Sequence, residues 1–411
     1  MTAGNGPRSG PLPLHGTAEK PASMPWALLA AACLASFAIT ASGSTRAPFL
    51  IDMARDLDVS LPMVANLFGL ISVSWGVASF VAGAGSDRWG RRPFLVGAPV
   101  GLALCMVAVA NSESYLAVVS WAVAGGGFAG LFTGVSLAEV ASRVVDHQRG
   151  RALSWVMSGQ SLTMLIGVPL AALIGAGIGW RGVHICVAAL SLISAVAMFA
   201  TTRPASHPVS GRVSAASPPP TLRAAVSARV VKLLASVVAE RICFGLAAVY
   251  YATFLQSTHG LSLQVLALPL AVFAVGNILG TLLGGQLADR LANRMLTFAV
   301  AMIASGVVAI LLFGWRPNVT VSVTLGFLYG LCNALARPSL MASLAEVPAH
   351  VRGTVMGLNS TVASIGWLAA AALGGWMLAT VGFDGFGPLA ALLAISGAAL
   401  ALLGPSIVDR K

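Results

Sequence analysis

The sequence predicts an all-α membrane protein of 12 transmembrane helices, arranged as two pseudo-symmetric six-helix bundles. Three observations carry that expectation. The 411 residues are 57% hydrophobic and only 9% charged, against about 25% charged in an ordinary soluble domain. The apolar residues come in continuous runs of about 20, long enough to cross a bilayer as helices, without the period-two alternation of a membrane barrel. Signals in the first half of the chain return in the second, as expected of an internal repeat.

In chain order, residues 1–25 are polar and contain Gly, Pro and Ser with Arg8 and Lys20. They read as a disordered cytoplasmic tail, because they lack the apolar core of a signal peptide. Six apolar windows follow at 26–46, 61–82, 93–111, 115–137, 152–175 and 182–201. In lipid each must be a helix, which satisfies its own backbone hydrogen bonds. Together they make an N-terminal bundle over 26–201. Residues 202–230 are polar and hold Pro218, Pro219 and Pro220, as expected of a flexible cytoplasmic linker. Windows at 233–255, 264–284, 295–314, 319–344, 354–380 and 387–404 make a C-terminal bundle over 231–411.

Orientation follows from the cations. Of the 24 Lys and Arg, 18 fall in the tail, the linker and the segments on that same side. Four (Arg46, Arg55, Arg181, Arg316) fall on the other side, and two (Arg241, Arg337) inside spans. The positive-inside rule then places both termini in the cytoplasm. The net charge of +11 is thereby a feature of the cytoplasmic face, and no zinc-finger spacing or aromatic-interleaved basic stretch points to nucleic acid.

The sequence excludes several chemistries. It has no Walker loop, so ATP is not the energy source. No Ser-His-Asp or HExxH arrangement and no metal-ligand spacing occurs, so neither enzyme activity nor a cofactor nor a metal is expected. The five cysteines all fall inside apolar windows without a CxxC pair, as packing thiols do.

Two segments carry the repeat. Gly83-Ala84-Gly85-Ser86-Asp87-Arg88-Trp89-Gly90-Arg91-Arg92 follows the second window, and Gly285-Gln286-Leu287-Ala288-Asp289-Arg290-Leu291-Ala292-Asn293-Arg294 follows the eighth. A second echo links Glu139 and Arg149-Gly150 with Glu346 and Arg352-Gly353. On these residues the chain resembles the major facilitator superfamily over its whole length apart from tail and linker. Within that family it is similar to bacterial twelve-helix sugar- and drug-efflux permeases, through Gly167-Val168-Pro169-Leu170, Gly179-Trp180-Arg181 and the segment from Arg352 to Leu358. It departs at Val168, where antiporters of that group place Gly and Pro side by side, and at Trp121, where they often carry Arg.

The resemblance implies a cytoplasmic gate. Asp87 would dock on the start of the eleventh helix near Arg352, and Asp289 on the start of the fifth near Arg149, where helix dipoles favour carboxylates. Glu139 and Glu346 would pair with Arg91 and Arg294. Gly83, Arg88, Gly90, Arg92, Gly285 and Arg290 complete the motif. The alternative is a set of static, hydrated topology signals.

Charge inside a span costs about 2.5–3.5 kcal/mol on insertion scales. Yet the seventh window holds Glu240-Arg241 and the tenth holds Arg337. Counting at about 1.5 Å per residue puts Glu240 and Arg337 at similar depths, so they can pair. Asn333 lies one turn from Arg337 on the same face. Glu240 is the expected proton site, with Arg241, Arg337 and Asn333 touching substrate or tuning it. A purely structural ion pair is the alternative. Arg46 is either a further substrate contact or an anchor at the outer face.

Small residues recur every fourth position. They are Gly159, Thr163, Gly167, Ala171 and Gly175 in the fifth window; Gly126, Gly130 and Gly134 in the fourth; Gly276, Gly280 and Gly284 in the eighth; and Gly366, Ala370 and Gly374 in the eleventh. Such faces let helices approach closely. They suit either sliding at the seam between bundles or plain packing. Pro169 and Pro338 are expected to kink their helices.

The resulting expectation is a monomeric secondary transporter, with protons and a small molecule as partners, that exports an organic compound by alternating access. Uptake of an organic anion by symport or uniport is the alternative. A membrane sensor or scaffold without transport is another.

Overall fold

The computed structural model describes residues 24–145, 148–202, 227–291, 293–347 and 349–403. The tail to residue 23, linker residues 203–226 and Ala292 lie outside the described residues, as do the side chains of Asp87 and of residues 349–354.

Among the described residues every regular element is helical. In the first half of the chain these are α1 (Trp26–Ser44), α2 (Leu50–Asp56), α3 (Leu61–Trp89), α4 (Arg92–Ala110), α5 (Tyr115–Ser142), α6 (Arg149–Leu162) and α7 (Val168–Thr201). In the second they are α8 (Ala228–His259), α9 (Leu263–Arg290), α10 (Arg294–Gly314), α11 (Val319–Ala345), α12 (Ala349–Thr380) and α13 (Phe386–Leu402). Side-chain caps mark several starts. Ser114, Ser227, Asn293 and Asn318 accept the backbone N–H of Ala117, Val230, Leu296 and Val321, each filling one of the orphan donors of a helix N-terminus. Gly90 ends α3 at φ +79°, a conformation a Cβ would strain, which gives the motif glycine its physical reason.

Among the described residues, 11 helical stretches are long and apolar enough to cross a membrane. The sequence expects 12, and the difference lies in one stretch of 53 residues, Arg149–Thr201. At about 1.5 Å per residue it would extend about 80 Å if straight, more than twice a hydrocarbon core of about 30 Å. It is not straight. A π-helical turn occupies Thr163–Gly167, just before Pro169, and Gly179 at φ +68° breaks the helix. Arg149 Nε donates to Ala141 O of α5. Near the other end Arg92 Nη2 donates to Phe199 O, with the guanidinium 4.3 Å from the Phe199 ring centroid. Both ends of the stretch therefore sit at the arginine-rich end of the molecule. Arg181, just past the break, reaches Asp56 and Ser112 O at the opposite end.

The first stretch is also longer than the 26–46 expected. It runs to Asp56, turning through a 3₁₀ segment at Ala47–Phe49 into α2. Asp56 then accepts from Trp180 Nε1 and Arg181 Nη1, at 2.9 and 2.7 Å.

The small-residue ladders lie within each half of the chain rather than at a seam between them. A Cβ on Gly276, Gly280 or Gly284 of α9 would stand 2.2–2.4 Å from the carbonyl oxygens of Phe327, Leu331 and Leu335 on α11. In the first half a Cβ on Gly126, Gly130 or Gly134 of α5 would stand 2.2–2.8 Å from those of Ile71, Trp75 and Ser79 on α3. Gly159 and Gly167 pack on Cys33, Phe37 and their neighbours in α1. The halves instead meet where α3 packs on α12 and α7 on α9, with Leu368 against Gly69 and Ser364 against Gly76.

Candidate functional site

Between the two halves lies a cavity of about 660 Å³. This falls within the 300–1,000 Å³ common for small-molecule sites. Helices α1, α3, α5 and residues 160–168 supply one wall, and α8, α9, α11 and α12 the other. Aromatic side chains stand on both walls, with Phe68 and Trp75 on one side and Phe244, Tyr251, Phe273 and Trp367 on the other. Phe244 and Trp367 meet edge to face at 5.7 Å. Of the described residues lining the cavity, Arg241 and Arg337 carry charge.

Both arginines lean on one carboxylate. Glu240 is 1% exposed, behind the cavity surface. Arg337 donates to its Oε1 through Nε at 3.1 Å and Nη2 at 2.9 Å. Its guanidinium also lies 4.9 Å from the Phe244 ring centroid, a cation–π contact. Arg241 Nε stands 3.3 Å from Glu240 Oε2, but the angle is not that of a hydrogen bond, and this N–H has no partner among the described residues. The stem of Arg241 rests on Gly366 of α12, where a Cβ would come within 2.4 Å of it. The sequence places these charges on α8 for a reason that burial makes plain. Its apolar window is 78% buried, which keeps charge away from lipid.

Two predicted site residues stand elsewhere. Asn333 is fully buried and does not line the cavity. Neither of its polar side-chain atoms has a partner among the described residues. Arg46 is also off the cavity, although Ser44 and Ala47 line it. It is neither an outer-face anchor nor a cavity contact, being 1% exposed with Nη2 donating to Met106 Sδ at 3.8 Å. Conversely, the sequence reading passed over Gln160, Asn277 and the lining aromatics. The available signal was an uncharged amide inside an otherwise apolar window.

At the arginine-rich end the expected Arg–Glu pairs form, each within one half. Arg91 Nη1 lies 3.3 Å from Glu139 Oε2, and Arg143 Nη2 lies 2.7 Å from Oε1. Arg294 pairs with Glu346, which also takes Arg229 at 3.1 Å. Arg88 and Arg290 are exposed. Asp289 is exposed too, while the docking expected of Asp87 and Arg352 falls outside the described side chains. At the opposite end the halves touch directly. Gln256 Nε2 donates to Pro48 O at 2.9 Å, and Pro62 packs on Gly375.

The sequence profile described as Major Facilitator Superfamily matches residues 32–370 and 233–410. The chain belongs to that superfamily. It is 25% identical over 305 residues to the chloramphenicol resistance protein of Streptomyces lividans, covering 72% of this chain and 76% of the relative. It is 25% identical over 378 residues to the transcription regulatory protein OpdE of Pseudomonas aeruginosa, covering 90% and 92%. The crystal structure of a D-xylose-proton symporter matches with a TM-score of 0.77 over 95% of this chain and all of that one, at 16% identity. That likeness shows the superfamily fold alone. Membership makes the chain a multi-pass membrane protein of transporter type. Trp121, noted above as a departure from the antiporter pattern, is exposed and does not line the cavity.

Proposed function

We propose that this chain is a proton-coupled secondary transporter of a small organic compound, working by alternating access across a bacterial inner membrane. Its arginine-rich end is cytoplasmic. The break at Gly179 makes Arg149–Thr201 a pair of crossings, which gives 12 in two bundles of six, and the cavity lies where the bundles meet.

The observation that carries this reading is Glu240, a buried carboxylate held by two arginines on a cavity wall. The two arginines pair this charge in the state shown; in the proposed cycle a proton takes over as its neutraliser when those contacts loosen, since a charge so enclosed must be neutralised or paired. The cavity opens toward the arginine-rich side in this reading, while Gln256 and Pro48 close the other. Export is the direction favoured by the resistance named for the Streptomyces relative. Uptake of an organic anion is the second reading, favoured by two arginines facing one glutamate.

The test is flux in proteoliposomes under an imposed pH gradient, with chloramphenicol as a neutral probe and benzenesulfonate as an anionic one. The wild type moves one of them with the gradient. Glu240→Gln loses gradient-driven flux while still exchanging solute at equal concentrations. Intact gradient-driven flux in Glu240→Gln would remove Glu240 as the coupling site.

A further inference from the structure

We infer that the cavity takes an organic monoanion with a flat apolar body, and that the anion binds together with a proton on Glu240, so that the two cross in the same direction. This rests on Glu240 as the proton site and assigns the charge and shape of the solute.

The donors and acceptors of the wall are out of balance. Arg337 commits Nε and Nη2 to Glu240 Oε1. Arg241 Nε is buried without a hydrogen-bond partner among the described residues, and so is Asn277 Nδ2. Both side chains line the cavity. A buried donor left unpaired is costly; neither atom has surface of its own on the cavity, so each side chain must turn to meet a solute. A carboxylate or sulfonate supplies acceptors and opposite charge at once. A cation would find no acidic side chain among the described lining residues and would face the two arginines. Phe244 and Trp367 stand beside Arg337 and Trp75 lines the far wall, a slot suited to an aromatic ring.

The charge count fixes the sign of coupling. With Glu240 ionised the triad carries one net positive charge; with Glu240 protonated it carries two. Protonation also weakens the two Arg337 hydrogen bonds to Oε1, which then accepts as a neutral carboxyl oxygen. Both changes strengthen an anion and weaken a cation. Coupling is reciprocal, so a bound anion favours the proton equally. The groups facing Glu240 from its own helix are Arg241 and Cys243, whose Sγ donates to Ala390 O of α13. From α11 they are Arg337 and Tyr329, whose hydroxyl donates to Cys243 O. Helices α12 and α13 meet this stretch of α8 through Gly366 at Arg241, Gly397 at Ala239 and Ala390 at Cys243, none of which titrates. No second carboxylate among these groups reverses the sign. Under an inward proton gradient the coupling drives uptake, the second of the two readings above, and so weighs against export.

The experiment uses the full chain in detergent and three probes of fixed charge: benzenesulfonate, neutral benzenesulfonamide and benzyltrimethylammonium. Binding is read from tryptophan fluorescence, since Trp75 and Trp367 line the cavity. Proton exchange is read from a pH dye in weakly buffered solution. Benzenesulfonate itself does not titrate, so any proton taken up belongs to the protein. We expect benzenesulfonate to bind with proton uptake and to weaken at least about tenfold across the pH range over which that proton is taken up, the scale of one charge-assisted hydrogen bond. Glu240→Gln binds it at all pH values without proton uptake. Preferential binding of benzyltrimethylammonium, proton release, sulfonate affinity no better than that of the sulfonamide, or no sulfonate binding by either protein would each overturn the inference. The transport reading fails separately. A protein that binds benzenesulfonate with proton uptake yet moves nothing across vesicles keeps the anion and loses transport; one that moves chloramphenicol but refuses benzenesulfonate does the reverse.

Discussion

A single methyl group at Gly280 tests whether the glycine ladders set the distance between helices. A Cβ there would lie 2.2 Å from Leu331 O, and ordinary contact begins near 3.4 Å. The α9 and α11 backbones must therefore part by about 1.2 Å, and a gap of 0.5–1 Å already forfeits about a quarter to a half of each dispersion contact along it. The neighbours cannot absorb the shift by rotating a side chain, because the obstacle is backbone. Overpacking of this kind costs about 1–3 kcal/mol. Against it, Ala gains about 1 kcal/mol over Gly in helix propensity. Gly97 of α4 provides the control, since a Cβ there meets nothing within 4 Å and only the propensity gain remains. The difference between Gly280→Ala and Gly97→Ala thus isolates the overpacking cost. Thermal unfolding of both variants in the same detergent measures it. Gly97→Ala should melt at or above the wild type and Gly280→Ala clearly below Gly97→Ala. If the two melt together, the ladder does not set the approach of α9 to α11.

Further outcomes follow from the same geometry. Gln256→Ala removes the hydrogen bond to Pro48 O, worth about 0.5–1.5 kcal/mol or roughly two- to tenfold in population. Ser44→Cys, on the cavity wall, should then react faster with an impermeant maleimide added outside, and an unchanged rate would refute the closure. Glu139→Ala should lower the melting temperature more than Glu346→Ala, because the Glu139 carboxylate is 9% exposed and Glu346 35%, and exposed pairs contribute little. Equal shifts would contradict this. Arg46→Met replaces a buried guanidinium that lacks a carboxylate partner among the described residues. Replacing buried charge by a well-packed apolar side chain is often neutral or stabilising, so the melting temperature should hold or rise, and a large fall would assign Arg46 a partner it does not show.

What the sequence made legible was whatever carries a cost in lipid or returns in the repeat. The Glu240–Arg337 pair followed from depth counting, because intramembrane charge has few places to go. The Arg91–Glu139 and Arg294–Glu346 pairs followed from two copies of one motif. Arg46, Asn333 and the ladder partners did not follow. Hydropathy reports that a residue lies in a span, not which face of the helix it occupies, and the face is decided by packing. Arg46 sits one residue past the helix C-terminus at Ser44–Thr45, where the chain turns inward, and that turn is a tertiary feature. The glycine ladders were visible, yet their partner helices depend on how the bundle closes.

The repeat also shows where the two halves differ, and the difference bears on mechanism. The packing is repeated with the roles exchanged: the ladder rides on α5 against α3 in one half and on α9 against α11 in the other. The charge is not repeated. At the 203-residue offset that relates Arg149 to Arg352, Arg337 corresponds to Gly134, which lines the opposite wall without charge. Near the same offset Glu240 falls beside Phe37 and Ala38. The ion triad is therefore a property of one half alone. In the proposed cycle the anion and its proton are held by the C-terminal half, while the N-terminal wall offers rings and hydroxyls that close by shape. A bound anion cancels the extra positive charge at the moment the cavity is shut away from water, and an empty triad with Glu240 protonated leaves that charge uncompensated. The occluded state then penalises protonated triads without solute, which is the condition a proton-coupled transporter must meet to avoid leaking protons.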